Sequence, residues 1–200
     1  MNFIYSSHLH GNLELMPRLF TYLTGLQRKY AGRTLRLDAG FACDDSAWHC
    51  VQTGGRSALL VLDAMGYTAA NTHDFLTNEG RQKLAANLMK MAALGAGDVW
   101  MQDGIAITTS NEAPPGDYDL HVALYCGEKT YLDGRTLHLA AVRAGQVGVV
   151  QLGSSQGNGR LSIHHHEVVT MPASTLPDPT IAATVDFVLS EARYYGRERD

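Results

Sequence analysis

His8 and His10 stand two apart in SHLHG, close enough for two imidazoles to hold one transition-metal ion through ring nitrogens. If they alternate along a strand end, both point to the same side. His73, in NTHDF, and a carboxylate from Glu128, Asp38 or Asp44 would complete a single zinc or iron site of three or four ligands. The competing reading makes His8 an ordinary polar loop residue, because H-x-H alone is common. Cys43, His49 and Cys50 in CDDSAWHC also offer sulfur and nitrogen donors, but without the tight Cys-x2-Cys turn of structural zinc sites. They read as inert thiols. Asp44 and Asp45 are adjacent, so their side chains diverge, which suits capping a loop better than paired acid–base work. His164, His165 and His166 alternate between the faces of a strand and cannot easily converge on one ion.

Several motifs are excluded. RAGQVG is followed by a strand pattern, whereas a dinucleotide fingerprint opens a helix. SSQGNG lacks the Gly-Lys-Ser/Thr ending of a phosphate loop. No G-x-S-x-G nucleophile elbow is present.

The elements that must position these residues follow from hydrophobic periodicity. NFIYS at 2–6 predicts a strand. Leu15, Leu19, Tyr22, Leu23 and Leu26 share one face of a helix, with Pro17 in its first turn. A strand is predicted over 34–40, a polar loop over 41–54, and a helix from Arg56 to Met65 stopped by Gly66. YTAAN predicts a third strand, and HDFLTNEGRQKLAANLMKMAALGAG a mostly helical stretch. Residues 1–95 thus form a βαβαβα half with a parallel sheet. Residues 96–194 are richer in antiparallel strands. A hairpin turns at Asp103-Gly104, strands follow in DLHVALYCG and TLHLAAVRAG, and two antiparallel strands lead to a last helix from LPDPTIAATV. Residues 195–200 read as a solvated tail.

Apolar residues make up 45% of the 200 residues, enough for the core of one domain. The net charge of -4 gives no general attraction for nucleic acid or anionic membranes. Three cysteines without a tight pair read as reduced thiols. No basic, apolar leader opens the chain and no apolar run is long enough to span a bilayer, so a cytoplasmic location is expected.

Four stretches, in order, resemble a known family. FIYSSHLHGNLELMPRLFTYL, LRLDAGF, LLVLDAMGYTAANTHDF, and LHLAAVRAGQVGVVQL with LPDPTIAATV are similar to the metallophosphatase domain of 5′-nucleotidase-like members of the calcineurin-like metallophosphoesterase superfamily. The resemblance covers most of the chain, loosely in the middle. It implies an α/β fold of two stacked mixed sheets flanked by helices, the four-layer αββα arrangement, here shortened. It also implies two divalent metals held by Asp, His and Asn, with a bridging carboxylate and an attacking hydroxide between them.

Set against that motif, His10 matches the family histidine, but His8 stands where an Asp belongs. Phe41 stands where the bridging Asp belongs. His73 matches the histidine that supports the transition state, and Thr72 replaces the adjacent ligand Asn unless Asn71 reaches in. Glu128 and Thr130 in YCGEKT take the places of two histidines. The catalytic candidates are therefore His73 and His10. The metal-ligand candidates are His8, His10, Glu128 and Asp44, and Asn71 and Thr72 are the substrate-contact candidates.

Three functions follow as expectations. The first is a pseudoenzyme or binding module for a small phosphorylated or nucleotide-like ligand. The second is a phosphoester hydrolase with one divalent zinc, manganese or iron ion rather than none. The third is a structural subunit, with homo-oligomers formed through its apolar strands.

Overall fold

The structure is a computed structural model that describes residues 1–30, 32–72, 75–86, 89–154 and 160–197. Strand β1 (Asn2–Ser6) is buried at every position, as a central strand covered on both faces must be. Helix α1 (Met16–Lys29) buries Met16, Leu19, Leu23 and Leu26, starts on Pro17 and ends with Arg28 and Lys29 against its negative pole. The chain then forms β2 (Thr34–Asp38), α2 (Trp48–Gln52), α3 (Arg56–Ala64), β3 (Ala69–Asn71), α4 (Asn78–Ala85) and β4 (Ala92–Leu94). The second half comprises β5 (Val99–Gln102), β6 (Ile105–Thr108), β7 (Leu120–Gly127), β8 (Tyr131–Asp133), β9 (Thr136–Ala140), β10 (Gln146–Ser154), β11 (Leu161–Thr170) and α5 (Pro179–Arg197). The predicted hairpin is β5–β6, with Asp103 and Gly104 both at positive φ, as a tight two-residue turn requires.

Two stacked mixed sheets result, as the resemblance implied. The six-stranded sheet runs β11-β10-β1-β2-β3-β4, and the five-stranded sheet runs β5-β6-β7-β9-β8. Strands β1 to β4 are parallel, and β10 returns from the second half to pair antiparallel with β1. The two halves therefore share one sheet.

Two apolar clusters hold these layers. One joins the helices to the outer face of the six-stranded sheet, through residues such as Ile4, Leu19, Leu59, Leu62, Val149 and Val188. The other lies between the sheets, where Phe3, Tyr5, Leu35 and Leu37 meet Ile105, Ile107, Val122, Leu124, Leu137 and Leu139. Among the described residues no helical side chain enters that second cluster. The αββα arrangement is thus shortened on one side: the five-stranded sheet carries no helix on its outer face among the described residues. The reason is visible in the strands. Alternating with the inward Val122, Leu137 and Ile107 are His121, His138, Ala106 and Thr108, which offer no apolar stripe for a helix.

Three local expectations are corrected. The 41–54 loop contains α2. Among the described residues, the long helical stretch after residue 73 holds only α4, followed by β4, because the AAL segment completes the parallel sheet beside β3. Helix α5 runs to Arg197, through the first residues of the expected tail, and residues 198–200 lie outside the described set. No helix among the described residues is long and apolar enough to cross a membrane.

Candidate functional site

Strands β1 and β2 end side by side, with Ser6 opposite Asp38. Their backbones stay paired beyond the strands. Ala39 N–H donates to Ser6 O (2.8 Å), His8 N–H to Gly40 O (3.0 Å), His10 N–H to Phe41 O (2.8 Å) and Gly11 N–H to Ala42 O (2.8 Å). His8, His10 and Phe41 sit at φ 54, 50 and 59. For residues with a Cβ this left-handed conformation costs roughly 1–2 kcal/mol each. It persists where surrounding bonds over-determine it, most often at functional sites. His8 and His10 are thus loop residues rather than alternating strand residues. Their rings nevertheless lie close, with centroids 5.5 Å apart.

The phenyl ring of Phe41 stacks on His8, 4.8 Å between centroids and 22° between planes. His10 Nδ1 is 2.5 Å from Asp44 Oδ2. Asp44 is held below the usual carboxylate range, first by the Ser46 hydroxyl and further by His10. As an ionised carboxylate only accepts, Nδ1–H of His10 donates to it, and Nε2 is the ring nitrogen not engaged by Asp44. His8 Nδ1 lies 3.1 Å from Ser7 Oγ, whose own proton goes to Val142 O (2.8 Å). That network also assigns the proton of His8 to Nδ1. Cys126 Sγ is 3.8 Å from the same nitrogen.

The other candidates face different tasks. Asp38 is fully buried, accepting from Ser6 Oγ (2.7 Å) and Gly40 N–H (3.1 Å). Burial pushes its carboxyl up to about 7 despite those bonds. Asn71 donates to Ala39 O (3.3 Å) and Leu124 O (2.8 Å), fastening β3 to both sheets. Thr72 donates to Leu94 O (2.9 Å). Thr130 bonds Tyr5 OH (3.2 Å) and accepts from Ala140 N–H (2.9 Å). Glu128 borders a hollow with Tyr125, Cys126, Lys129 and Tyr131, of which Cys126 also lies beside His8. His73 lies outside the described residues. The structure therefore brings together His8, His10, Phe41 and Asp44, while Asp38, Asn71 and Thr72 bond within the framework.

Beside these tips opens a cleft of about 410 Å³, walled by Phe41, Asp44, Asp45, Val51, Phe75 and Thr77 among others. Cys43 and Cys50 form its floor, and they are joined in a disulfide. The expectation of three reduced thiols is corrected: Cys126 alone lies outside a bridge. The loop folds back through α2, bringing sulfurs seven residues apart in sequence together at a Cα–Cα separation of 5.8 Å, within the normal range for a bridge. Phe75 and Thr77 carried no sequence signal as cleft residues. Thr77 could have been found as a helix cap, since its hydroxyl accepts from Gly80 N–H at 3.0 Å.

The 5′-nucleotidase precursor of Thermus thermophilus superposes with a TM-score of 0.67 at 11% identity, over 97% of this chain and 59% of that one. The NAD nucleotidase of Haemophilus influenzae superposes with a TM-score of 0.58 at 14% identity, over 98% of this chain and 60% of that one. The chain shares the fold of these nucleotidase structures. At such identities the likeness shows the fold alone. The chain spans about three-fifths of the length of these two proteins. No sequence-family model and no curated protein sequence matches it.

Proposed function

We propose that this chain uses the metallophosphoesterase fold as a small-molecule binding module and lacks the two-metal hydrolytic chemistry that the resemblance implies. The observation that carries this reading is Phe41. Its ring lies flat on His8 at the position where the family motif has a bridging carboxylate. A phenyl group cannot share charge between two cations. Among the described residues, the donors beside it are two imidazoles and the carboxylate of Asp44, already bonded to His10 and Ser46, with Asp45 further along the cleft wall. Asp38 is sealed beneath them. Two crowded dications need more anionic charge than this set supplies. The described residues do not fit the dinuclear group.

The cleft itself suggests the ligand. Phe41, Phe75 and Val51 give it apolar walls, and Asp44 and Asp45 give it acceptors. A planar, hydroxyl-bearing molecule such as a nucleoside suits that lining. A bare phosphate is repelled by the two aspartates, so a nucleotide would bind by its nucleoside end. The purified chain with added manganese is expected to hydrolyse neither nucleoside monophosphates nor an aryl phosphate above the buffer rate. Calorimetry should show nucleosides binding more tightly than their monophosphates. Manganese-dependent turnover that disappears in His10→Ala would overturn the proposal.

A second reading is favoured by the paired imidazoles. His8 and His10 both turn Nδ1 to a protein partner, which leaves Nε2 of each as the atom that an ion would meet, and Asp44 orients His10 as a carboxylate orients a metal-bound histidine. That arrangement suits one divalent ion and a phosphoester hydrolase with a rebuilt site. Stoichiometric metal lost in both His8→Ala and His10→Ala would favour it over the binding module.

A further inference from the structure

The Cys43–Cys50 bridge lies beside a buried imidazole that the cleft reading does not use. His49 Nε2 is 2.9 Å from the carbonyl oxygen of Gly11, which can only accept, so Nε2 carries the proton. Nδ1 therefore holds the lone pair. It faces Ser57 Oγ at 2.8 Å and Cys50 Sγ at 3.6 Å. Ser57 Oγ lies 3.4 Å from Cys43 Sγ and 3.7 Å from Cys50 Sγ, close to the focus of the three donors. All four side chains are buried. Among the described residues, Cys43, His49 and Cys50 are the group of three such side chains whose ligand atoms lie within 4.8 Å of one another. A backbone carbonyl that fixes one ring nitrogen and frees the other is the arrangement found behind metal-bound histidines.

We infer that the reduced chain binds one zinc ion through Cys43 Sγ, Cys50 Sγ and His49 Nδ1, with the fourth position turned toward Ser57 and the cleft. A dithiol reductant opens the bridge. Its two sulfurs join in a disulfide, and two electrons and two protons pass to the sulfurs of Cys43 and Cys50. Zinc then displaces both thiol protons to solvent, and two thiolates balance its charge. The S₂N donor set selects zinc over magnesium, calcium or manganese. With Zn–S near 2.3 Å and Zn–N near 2.0–2.1 Å, tetrahedral angles place sulfur and nitrogen about 3.6 Å apart. Cys50 Sγ and His49 Nδ1 already have that separation. Cys43 and Cys50 border the cleft, which gives the ion a way in. Bridge and zinc exclude each other, because the oxidised pair has no thiolate to give. Zinc content is therefore set by redox state, whichever reading of the strand tips holds.

The test uses the full chain, reduced with a phosphine that leaves no competing thiol. It is titrated with cobalt(II), then with zinc(II) against a chromophoric chelator. One equivalent of cobalt should bind with thiolate-to-metal charge-transfer absorption and be displaced by zinc. Without reduction, affinity should be at least ~100-fold weaker. Cys43→Ser and Cys50→Ser should each remove most of the charge-transfer band, and His49→Gln should weaken zinc roughly 10–100-fold. Since any variant could fail to fold, the unaltered chain supplies a second readout. Zinc should slow alkylation of Cys43 and Cys50, followed by mass spectrometry, and leave the rate at Cys126 unchanged. Cobalt bound without the charge-transfer band, or zinc that leaves Cys43 and Cys50 as reactive as before, overturns the proposal.

Discussion

The core between the sheets and the cleft at the strand tips are built on the same two strands, yet they are held by different means. In the core, side chains do the holding: Phe3, Tyr5, Leu35 and Leu37 pack against the inner face of the second sheet. At the tips, the main chain does it: four backbone hydrogen bonds lock residues 6–11 to residues 39–42. Side-chain packing constrains residue identity, because interiors are close-packed and every methylene is felt. Main-chain bonding constrains it only through the backbone conformation it imposes. A tip can therefore exchange a carboxylate for a phenyl ring and keep its shape. That is consistent with a fold shared with a 5′-nucleotidase precursor at 11% identity.

The largest effect should come from the core. Gly148 pairs with Tyr5, and the tyrosine ring folds over it on the inter-sheet face. A Cβ at Gly148 would lie 2.0 Å from Tyr5 Cζ. The obstacle is a fully buried ring whose hydroxyl bonds Thr130, so it cannot swing aside. Gly148→Ala should cost about 3 kcal/mol or more in urea unfolding. A loss under ~1 kcal/mol would mean that the sheets separate easily, and the contrast with the tips would fade.

The boundary between the two regions should respond next, through pH. Asp38 lies between core and tip, and burial raises its carboxyl to about 7. The unfolded chain releases that proton near pH 4, whereas the folded chain holds it to about 7. The folded state therefore binds the extra proton in that window, and stability falls as pH rises through it. Between pH 5 and pH 8 the decline assigned to Asp38 is roughly 2–3 kcal/mol. Asp38→Asn should flatten that slope. An unchanged slope in the variant would assign the pH dependence to other groups and Asp38 to the tip rather than the core.

The same division explains what could be seen in the sequence. The strands of the core were legible as short apolar runs bounded by turn residues, as in NFIYS, LHVALYCG and TLHLA. The hairpin at Asp103-Gly104 was legible from turn chemistry. Strand β4 was not, since its AAL segment follows helix-forming residues and becomes a strand only by pairing with β3. The helix-free outer face of the second sheet required knowing which residues of β7 and β9 turn outward. At the site, the closeness of His8 and His10 was legible from their spacing, but its cause was not. Left-handed backbone at histidine and phenylalanine has no residue signature as glycine has. The Cys43–Cys50 bridge was missed because α2 folds the loop back on itself, and separation along the chain says nothing of that return.

The smallest effects should come from the tips, and they sharpen the comparison most. If backbone bonds rather than rings hold residues 8–11 and 39–42 in place, the side chains there matter to stability only through φ. Asparagine tolerates the left-handed region, and β-branched residues resist it. His8→Asn, His10→Asn and Phe41→Asn should each stay within about 1 kcal/mol of the parent in urea unfolding. His10→Val and Phe41→Val should be less stable than their asparagine counterparts by about 1–2 kcal/mol, although valine is the more apolar residue. That inversion of the usual order for Phe41 is the signature of a site governed by main-chain conformation. Should Phe41→Asn cost as much as Gly148→Ala, the ring stacked on His8 would be a packing element in its own right. The tip would then be a second core rather than a cleft freed from its side chains.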